Sequence, residues 1–133
     1  MNNFIFADLI TRIKVGYKAR LLSIKVLKNK LTVNFLFLLY KIGLIKSFHI
    51  LKNENKILLY LKYIDNKPAF FSIDLISKPS YRVYWTLNIL SHNYRKYSFS
   101  TFYIISTSKG LITSNDAILQ KNISGEILCK IKI

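Results

Sequence analysis

Hydrophobic and polar residues recur with two different periods along the chain, and these periods distinguish predicted helices from predicted strands. Over Phe4–Tyr17, apolar residues return every three or four positions, which is typical of an amphipathic helix. A second helix is predicted over Lys30–Ile42, because the pattern stops at Gly43, a residue type that commonly ends helices. Alternating or β-branched runs predict three strands, at Leu22–Leu27, Ile45–Leu51 and Ile57–Ile64. The first half therefore has the predicted order α-β-α-β-β.

Strands dominate the prediction for the second half of the chain. They are predicted at Ala69–Ile76, Tyr81–Trp85, Thr101–Ser106 and Glu126–Ile133. A short helix is predicted over Thr113–Lys121, where Thr113 and Asp116 have the spacing of a capping box. Leu87–Ser100 is the segment whose structure the sequence predicts least clearly, and Ser91-His92-Asn93 within it indicates an exposed loop.

Turn-forming residues divide the chain into two parts. Asn66 and Pro68 in the segment Asp65–Pro68 indicate a linker. We therefore predict an α+β protein with two small domains. Residues 1–66 form the N-terminal α-β-α-β-β domain, and residues 67–133 form a C-terminal domain that is mainly antiparallel β with a short helix.

The charge of the chain indicates a polyanionic partner. Its 133 residues include 21 Lys and Arg but only 6 Asp and Glu, which gives a formal net charge of +15. Nucleic acid is the most common partner of such a protein, and an anionic membrane surface is the second. The cations are dispersed over both halves rather than gathered on one amphipathic helix, which disfavours the membrane surface. The apolar stretch Leu31–Ile45 is short and contains Lys41, so no membrane span is predicted.

The residue usage indicates where the gene resides. Lys greatly outnumbers Arg, while Gly (4) and Pro (2) are scarce, a bias expected from AT-rich codons. This favours an organellar or endosymbiont genome. The first residues, Met1–Phe4, show neither a signal peptide nor an import sequence, so we expect synthesis inside the organelle. High hydrophobicity favours a mitochondrion, with a plastid as the alternative, and the single Cys129 fits a reducing compartment.

The residues that usually carry catalysis are few and scattered. His49 and His92 have no metal-ligand spacing to each other or to Cys129, and His49 is interpreted as a solvent-facing strand residue. The six carboxylates form no cluster in the sequence, and no glycine-rich phosphate loop is present. We expect no enzymatic activity, no catalytic residues, no metal, no cofactor and no small-molecule substrate.

The segment Ser106–Gly110 is the most informative one for binding. Three hydroxyl residues are followed by a lysine and a glycine, so compact donors and acceptors lie beside a cation that attracts phosphate. Gly110 permits a close approach of the backbone. The same pattern also fits an ordinary turn between a strand and the helix capped by Thr113. The residues alone leave both interpretations open.

Together with its continuation, this segment resembles a known family. Ser106–Gly110, Thr113 and Gly125–Cys129 resemble the C-terminal signature of the bacterial-type small-subunit ribosomal protein eight family. Similar motifs run in order over nearly the whole chain, at Asp8–Ile13, Lys30–Val33, Gly43–Phe48, Leu61–Tyr63 and Ile76–Tyr84. The chain departs from the family at Ser80, where Gly is usual, and at Ser114–Ile118, where the family has an Arg-rich helix.

The resemblance implies both a function and a site. A member of this family is a structural protein of the small ribosomal subunit that binds the central domain of small-subunit rRNA, supports assembly and contacts neighbouring ribosomal proteins. A stand-alone RNA-binding translational regulator is the alternative. The resemblance implies RNA-binding roles, mostly in the C-terminal domain, for Ser106, Thr107, Ser108, Lys109, Gly110, Glu126, Tyr84, Lys30, Lys78 and Arg82.

Three other interpretations stay open for individual residues. Glu126 can instead form a sheet-surface ion pair with Lys130. Tyr84 can be a core or cross-strand aromatic residue. Thr11 and Arg12 fit either RNA contact or helix–sheet packing through a hydrogen bond.

Overall fold

The chain folds into two compact units, residues 1–70 and residues 71–133. A computed structural model describes residues 2–78, 80–97, 100–121 and 123–133. Pro79, which belongs to the Ile76–Tyr84 motif, therefore lies outside the described residues. Helices and antiparallel sheets in both units confirm the predicted α+β class.

The first unit follows the predicted order α-β-α-β-β, but the predicted strand Ile57–Ile64 is divided into two strands and one further short strand follows. Its elements are α1 (Asn2–Lys18), β1 (Ser23–Leu27), α2 (Lys30–Ile42), β2 (Ser47–Leu51), β3 (Lys56–Tyr60), β4 (Tyr63–Ile64) and β5 (Lys67–Pro68). The strands β1, β3 and β2 form one antiparallel sheet in that order, with β3 in the centre. None of the described helices is long and apolar enough to cross a membrane.

The core of the first unit follows from the two periods seen in the sequence. The buried side chains of α1 recur at helical spacing, and the rings of Phe6 on α1 and Phe35 on α2 meet edge to face at 4.8 Å. In the sheet, Val26 and Ile57 occupy opposite positions on neighbouring strands and are both buried. The apolar stripes of the helices and one face of the sheet thus supply the core.

Local capping explains why α2 has the predicted end. The side-chain oxygen of Asn29 accepts a hydrogen bond from the backbone N–H of Thr32 at 2.7 Å and caps the N-terminus. At the other end, Gly43 has φ +98°, and its N–H and that of Leu44 donate to the carbonyls of the last turn. The predicted stop at Gly43 is confirmed.

The segment expected to be a linker is instead part of the first unit. Asp65 and Asn66 both have positive φ, at 52° and 64°, and they turn the short hairpin β4–β5. This hairpin is tied to α1, because the ring of Tyr17 contacts those of Tyr63 and Phe70. The linker prediction at Asp65–Pro68 was wrong, since Asn can adopt the left-handed conformation that a two-residue hairpin turn requires.

The second unit is built on a four-stranded antiparallel sheet. Its elements are β6 (Ser72–Leu75), α3 (Leu87–Tyr97), β7 (Thr101–Thr107), β8 (Gly110–Thr113), α4 (Ser114–Asp116), which continues as a π-helical turn over Ala117–Lys121, and β9 (Glu126–Lys132). The strand order is β6-β9-β7-β8. One face is buried beneath helical residues in a cluster of Leu90, Tyr103, Ile105, Ile112, Ala117 and Ile127.

Two predictions for the second unit were wrong. Tyr81–Trp85 forms no strand among the described residues, since its ladder contacts are isolated bridges at Tyr81 and Tyr84. Ser91-His92-Asn93, expected to be an exposed loop, lies instead within α3, where Leu90 is buried in the core, since polar residues also line the outer side of an amphipathic helix. By contrast, the Thr113 hydroxyl accepts a hydrogen bond from Asp116 N–H and caps α4 as predicted.

Candidate nucleic-acid interface

The segment Ser106–Gly110 forms the tip of the β7–β8 hairpin. Thr107 pairs with Gly110 across the hairpin, and Ser108 and Lys109 make the turn. Gly110 has φ +103°, a conformation that favours glycine. The turn is therefore not a strand-to-helix turn, because strand β8 lies between it and the cap of α4.

The hydroxyl groups at the tip have different roles. Thr107 Oγ1 donates to the Gly110 carbonyl at 2.9 Å and accepts from the Lys109 N–H at 3.1 Å, so it holds the turn together. Ser108 and Lys109 are exposed, and the Ser108 side chain makes no hydrogen bond to any described residue. Ser108 and Lys109 are consequently the groups at the tip that can reach a ligand.

A row of side chains crosses the sheet next to the tip. In the pairing register, Ser106 on β7 lies opposite Glu126 on β9, and Glu126 also forms a bridge with Tyr84. Opposite residues of antiparallel strands direct their side chains to the same face. Tyr84 is 64% exposed, while its neighbours Val83 and Trp85 pack against the core of the second unit. We call Tyr84, Glu126 and Ser106–Gly110 the hairpin-tip surface.

The start of β9 contains two polar atoms that lack a partner. Glu126 Oε2 and Ser124 Oγ are shielded from solvent, and neither forms a hydrogen bond with any described residue. Between them, Gly125 passes so close to β7 that a Cβ atom there would lie 2.3 Å from the Ser106 carbonyl oxygen. Shielded polar atoms without partners are uncommon in proteins. The surface therefore has a carboxylate oxygen, Glu126 Oε2, that accepts no hydrogen bond from a described residue.

Lys78 and Arg82 lie on a loop that the Ser77 hydroxyl fastens to β9. Ser77 is buried, and its Oγ donates to the Ile127 carbonyl at 2.5 Å and accepts from the Val83 N–H at 3.0 Å. Both basic side chains are exposed. Sequence reasoning did not single out Ser77, because nothing in the pattern distinguishes a buried serine from an exposed one.

Comparison with known proteins identifies the family of the chain. The family model for ribosomal protein S8 matches residues 5–131. The chain belongs to the ribosomal protein S8 family. Because that family is structural and non-enzymatic, the expectation that the chain is not an enzyme is confirmed.

Relatives of this member of the ribosomal protein S8 family cover almost its whole length. The small ribosomal subunit protein uS8m of Acanthamoeba castellanii is 42% identical over 127 residues, which cover 96% of this chain and 98% of that protein. The uS8 proteins of Buchnera aphidicola and Syntrophus aciditrophicus are 36% and 35% identical, with 94% of each chain covered. The resemblance noted from the motifs is therefore confirmed.

Within this ribosomal protein S8 fold, the remaining predicted residues lie in several places. Lys30 belongs to the first unit, where it is exposed at the start of α2. Arg12 donates to Asp8 Oδ2 at 2.8 Å and to the Lys25 carbonyl at 3.1 Å, which matches the helix–sheet packing interpretation. Lys130, the alternative ion-pair partner of Glu126, lies four residues further along β9 and opposite Asp74 on β6.

The described residues offer no site for metal or thiol chemistry. No group of three or more His, Cys, Asp or Glu among them is arranged to hold a metal ion. Cys129 is fully buried, and this burial raises the pKa of its thiol far above the usual range. His49 is exposed on β2, as expected from the alternation of that strand. The chemistry available at the hairpin-tip surface is hydrogen bonding, stacking and charge attraction.

Proposed function

We propose that this chain is a structural protein of the small subunit of the mitochondrial ribosome. In this proposal it binds the central domain of small-subunit rRNA directly, contacts neighbouring small-subunit proteins and supports subunit assembly. The family and the names of its relatives support the ribosomal role. The net charge of +15 supports a polyanionic partner.

The observation that carries the RNA-binding proposal is one carboxylate oxygen without a hydrogen-bond donor among the described residues, in a row of side chains that includes exposed Tyr84. Glu126 Oε2 has no donor among the described residues, and Glu126 lies in one row with Ser106 and exposed Tyr84. A shielded acceptor without a donor is unfavourable. RNA offers suitable donors, namely exocyclic amines and 2′-hydroxyl groups.

The size and charge of the surface also suit an irregular RNA helix. The major groove of A-form RNA is too narrow for side chains, so a protein recognises displaced bases, the minor groove and the backbone. The short side chains of Ser106 and Ser108 suit a base displaced from its stack, and Tyr84 offers a face for stacking. Lys109 contacts phosphate from the tip, while Lys78, Arg82 and Lys30 are further phosphate contacts in this proposal.

The mitochondrial location is supported by sequence. The relative from Acanthamoeba castellanii bears the name uS8m, and the residue usage of this chain is the bias expected from an AT-rich organellar genome. We propose a gene in the mitochondrial genome. Fractionation of organelles tests the location, and recovery of the protein in plastids would support the alternative instead.

Substitutions at the tip test the RNA-binding role. Ser108→Ala should leave folding intact and weaken binding to the central-domain helix by about 1–2 kcal/mol, because a buried base group loses its partner. Lys109→Ala should weaken binding to all RNAs similarly and reduce the magnitude of the slope of log K against log salt by about one. The measurement is a titration of each variant against the cognate helix and a fully paired control helix at two salt concentrations.

A matched control and a contradicting outcome complete this test. Ser23→Ala removes a hydroxyl from β1 in the first unit and should leave both affinities unchanged. If Ser108→Ala weakens the cognate and the fully paired helix equally, the tip is a structural turn and not a reader of RNA.

Sedimentation distinguishes the ribosomal role from that of a stand-alone regulator. In high-salt gradients, we expect the protein to remain with small subunits rather than with free RNA. Recovery in large subunits, or free of ribosomes under all conditions, would contradict the proposed function.

A further inference from the structure

Aromatic side chains surround a shallow cavity in the first unit, far along the chain from the hairpin tip. A cavity of about 240 Å³ is lined by Phe37 and Tyr40 of α2 and by Ser47 and Phe48 of β2. Phe37 is 59% exposed and Tyr40 is 53% exposed. The rings of Tyr40 and Phe48 meet edge to face at 6.5 Å, so Tyr40 is held over the edge of the sheet. We call these four residues the α2 aromatic patch.

Lysines flank this patch along the helix. Lys30, Asn34, Phe37 and Lys41 follow one another at spacings of four, three and four residues, and all are exposed. Such spacing places them along one face of α2. At 1.5 Å per residue, the two lysines lie about 16 Å apart along the helix axis. A stripe of cation, amide, aromatic ring and cation therefore runs along the exposed side of α2.

The chain segment that contains the patch carries no carboxylate. Residues 9–53 contain ten Lys or Arg and no Asp or Glu. The two carboxylates that flank this segment are already engaged, since Asp8 pairs with Arg12 at 2.8 Å and Glu54 pairs with Lys25 at 3.2 Å. Lys30 and Lys41 form no ion pair with any described residue. The patch thus offers exposed aromatic faces between uncompensated cations.

We propose that the α2 aromatic patch binds unpaired nucleotides of RNA, with bases stacked on Phe37 and Tyr40 and phosphates contacted by Lys30 and Lys41. Aromatic faces combined with a cationic track are the features that bind single-stranded nucleic acid. The centres of protein–protein interfaces are depleted in lysine, so a protein partner fits this lysine-flanked stripe less well. The proposal rests on the proposed RNA-binding function, with which it shares Lys30, but uses none of the residues of the hairpin-tip surface.

Binding of the full-length protein to a fluorescein-labelled, unstructured 12-nucleotide RNA of mixed sequence tests the proposal. Phe37→Ala and Tyr40→Ala should each weaken binding about five- to a hundredfold, because each removes one stacking face. Phe37→Leu should lose about as much affinity as Phe37→Ala, because a leucine keeps apolar area but has no ring. Phe37→Trp should retain binding, because it keeps an aromatic face. Circular dichroism checks that each variant is folded.

Matched variants separate stacking from charge and from general apolarity. Val15→Ala removes an exposed apolar side chain of α1, 57% exposed in the same unit, and should leave the affinity unchanged. Lys41→Gln should reduce the salt slope by about 0.7, the value expected for one phosphate contact on a single strand. The losses at Phe37 and Tyr40 should persist at higher salt because no charge is removed.

Two results would overturn the proposal. The first is native affinity of Phe37→Leu or of both alanine variants. The second is unchanged RNA binding by these variants together with their loss from intact small subunits, because the patch would then contact a protein. Failure of the proposed function gives a different result, namely that the native protein does not prefer the central-domain helix while its stacking-dependent binding of the single strand remains.

Discussion

At the scale of single residues, two glycines shape the hairpin-tip surface for different reasons. A Cβ atom at Gly125 would lie 2.3 Å from the Ser106 carbonyl oxygen, a distance that real contacts do not reach. At Gly110 no atom lies within 4 Å of the added Cβ atom, but φ is +103°. Gly125 is therefore required by close packing and Gly110 by backbone conformation.

Substitution at both positions distinguishes these two causes. Gly125→Ala should lower the free energy of unfolding of the second unit by about 1–3 kcal/mol through overpacking, and the larger Gly125→Asn should lower it further. Gly110→Ala should cost about 1–2 kcal/mol of backbone strain, while Gly110→Asn should cost less, since Asn tolerates positive φ. Urea unfolding followed by the fluorescence of Trp85, which packs against Tyr103 at 5.0 Å, measures these values. The assignment of packing to Gly125 and backbone conformation to Gly110 would be contradicted if Asn destabilised less than Ala at Gly125, or more than Ala at Gly110.

At the scale of secondary structure, the loop that follows β6 keeps its position through one buried hydroxyl. Ser77 Oγ connects Val83 N–H with the Ile127 carbonyl, and Ile127 N–H in turn donates to the Val83 carbonyl at 2.9 Å. Lys78 and Arg82 lie between these anchoring points. The loop therefore presents its cations without forming a strand.

Removal of that hydroxyl should affect both stability and RNA binding. Ser77→Ala should lower the free energy of unfolding by about 1–3 kcal/mol, because two backbone groups lose their partner. It should also weaken binding to the central-domain helix although no charge or contacting side chain is removed. Urea unfolding and RNA titration measure the two effects. Exposed Ser80 in the same loop is the control, and an equal effect of Ser80→Ala would contradict the role given to Ser77.

At the scale of the whole molecule, charge determines how RNA affinity depends on salt. The net charge of +15 comes from 13 basic and 3 acidic residues in residues 1–70 and from 8 basic and 3 acidic residues in residues 71–133. Both units are therefore positive, and the positive charge does not reside in a detachable tail. Screening by salt acts on the entire surface.

We therefore expect a steep salt dependence for the native protein. If about four to six phosphates are neutralised, the slope of log K against log salt for the central-domain helix should be about −3 to −5. Titration of the isolated helix between low and high salt measures it. Lys52→Gln, in the exposed turn between β2 and β3, should leave the slope unchanged. An affinity that does not change with salt concentration would show that the positive charge does not contribute to RNA binding.

Several elements were predictable because their causes are local. The helical period of α1 and α2, the glycine that ends α2 and the Thr113 cap of α4 each depend on residues within a few positions. The candidate loop Ser106–Gly110 was also visible, because its hydroxyls, lysine and glycine are adjacent in the chain. The family followed from motifs that keep their order along the sequence.

Other features depend on contacts between distant residues, and the tertiary structure alone decided them. Tyr81–Trp85 has the composition of a strand, but the Ser77 hydroxyl and the start of β9 hold it in another conformation. α3 forms because Leu90 reaches the core of the second unit, although its sequence is rich in polar residues. The shielded Oε2 atom of Glu126 and the tight approach of Gly125 to Ser106 exist only when β9 pairs with β7. By itself the sequence determined the class of fold, the charge and the family, because composition, period and motif are properties of the chain. The geometry of the site was decided by the tertiary structure, because Ser106 and Glu126 pair across about twenty residues of intervening chain.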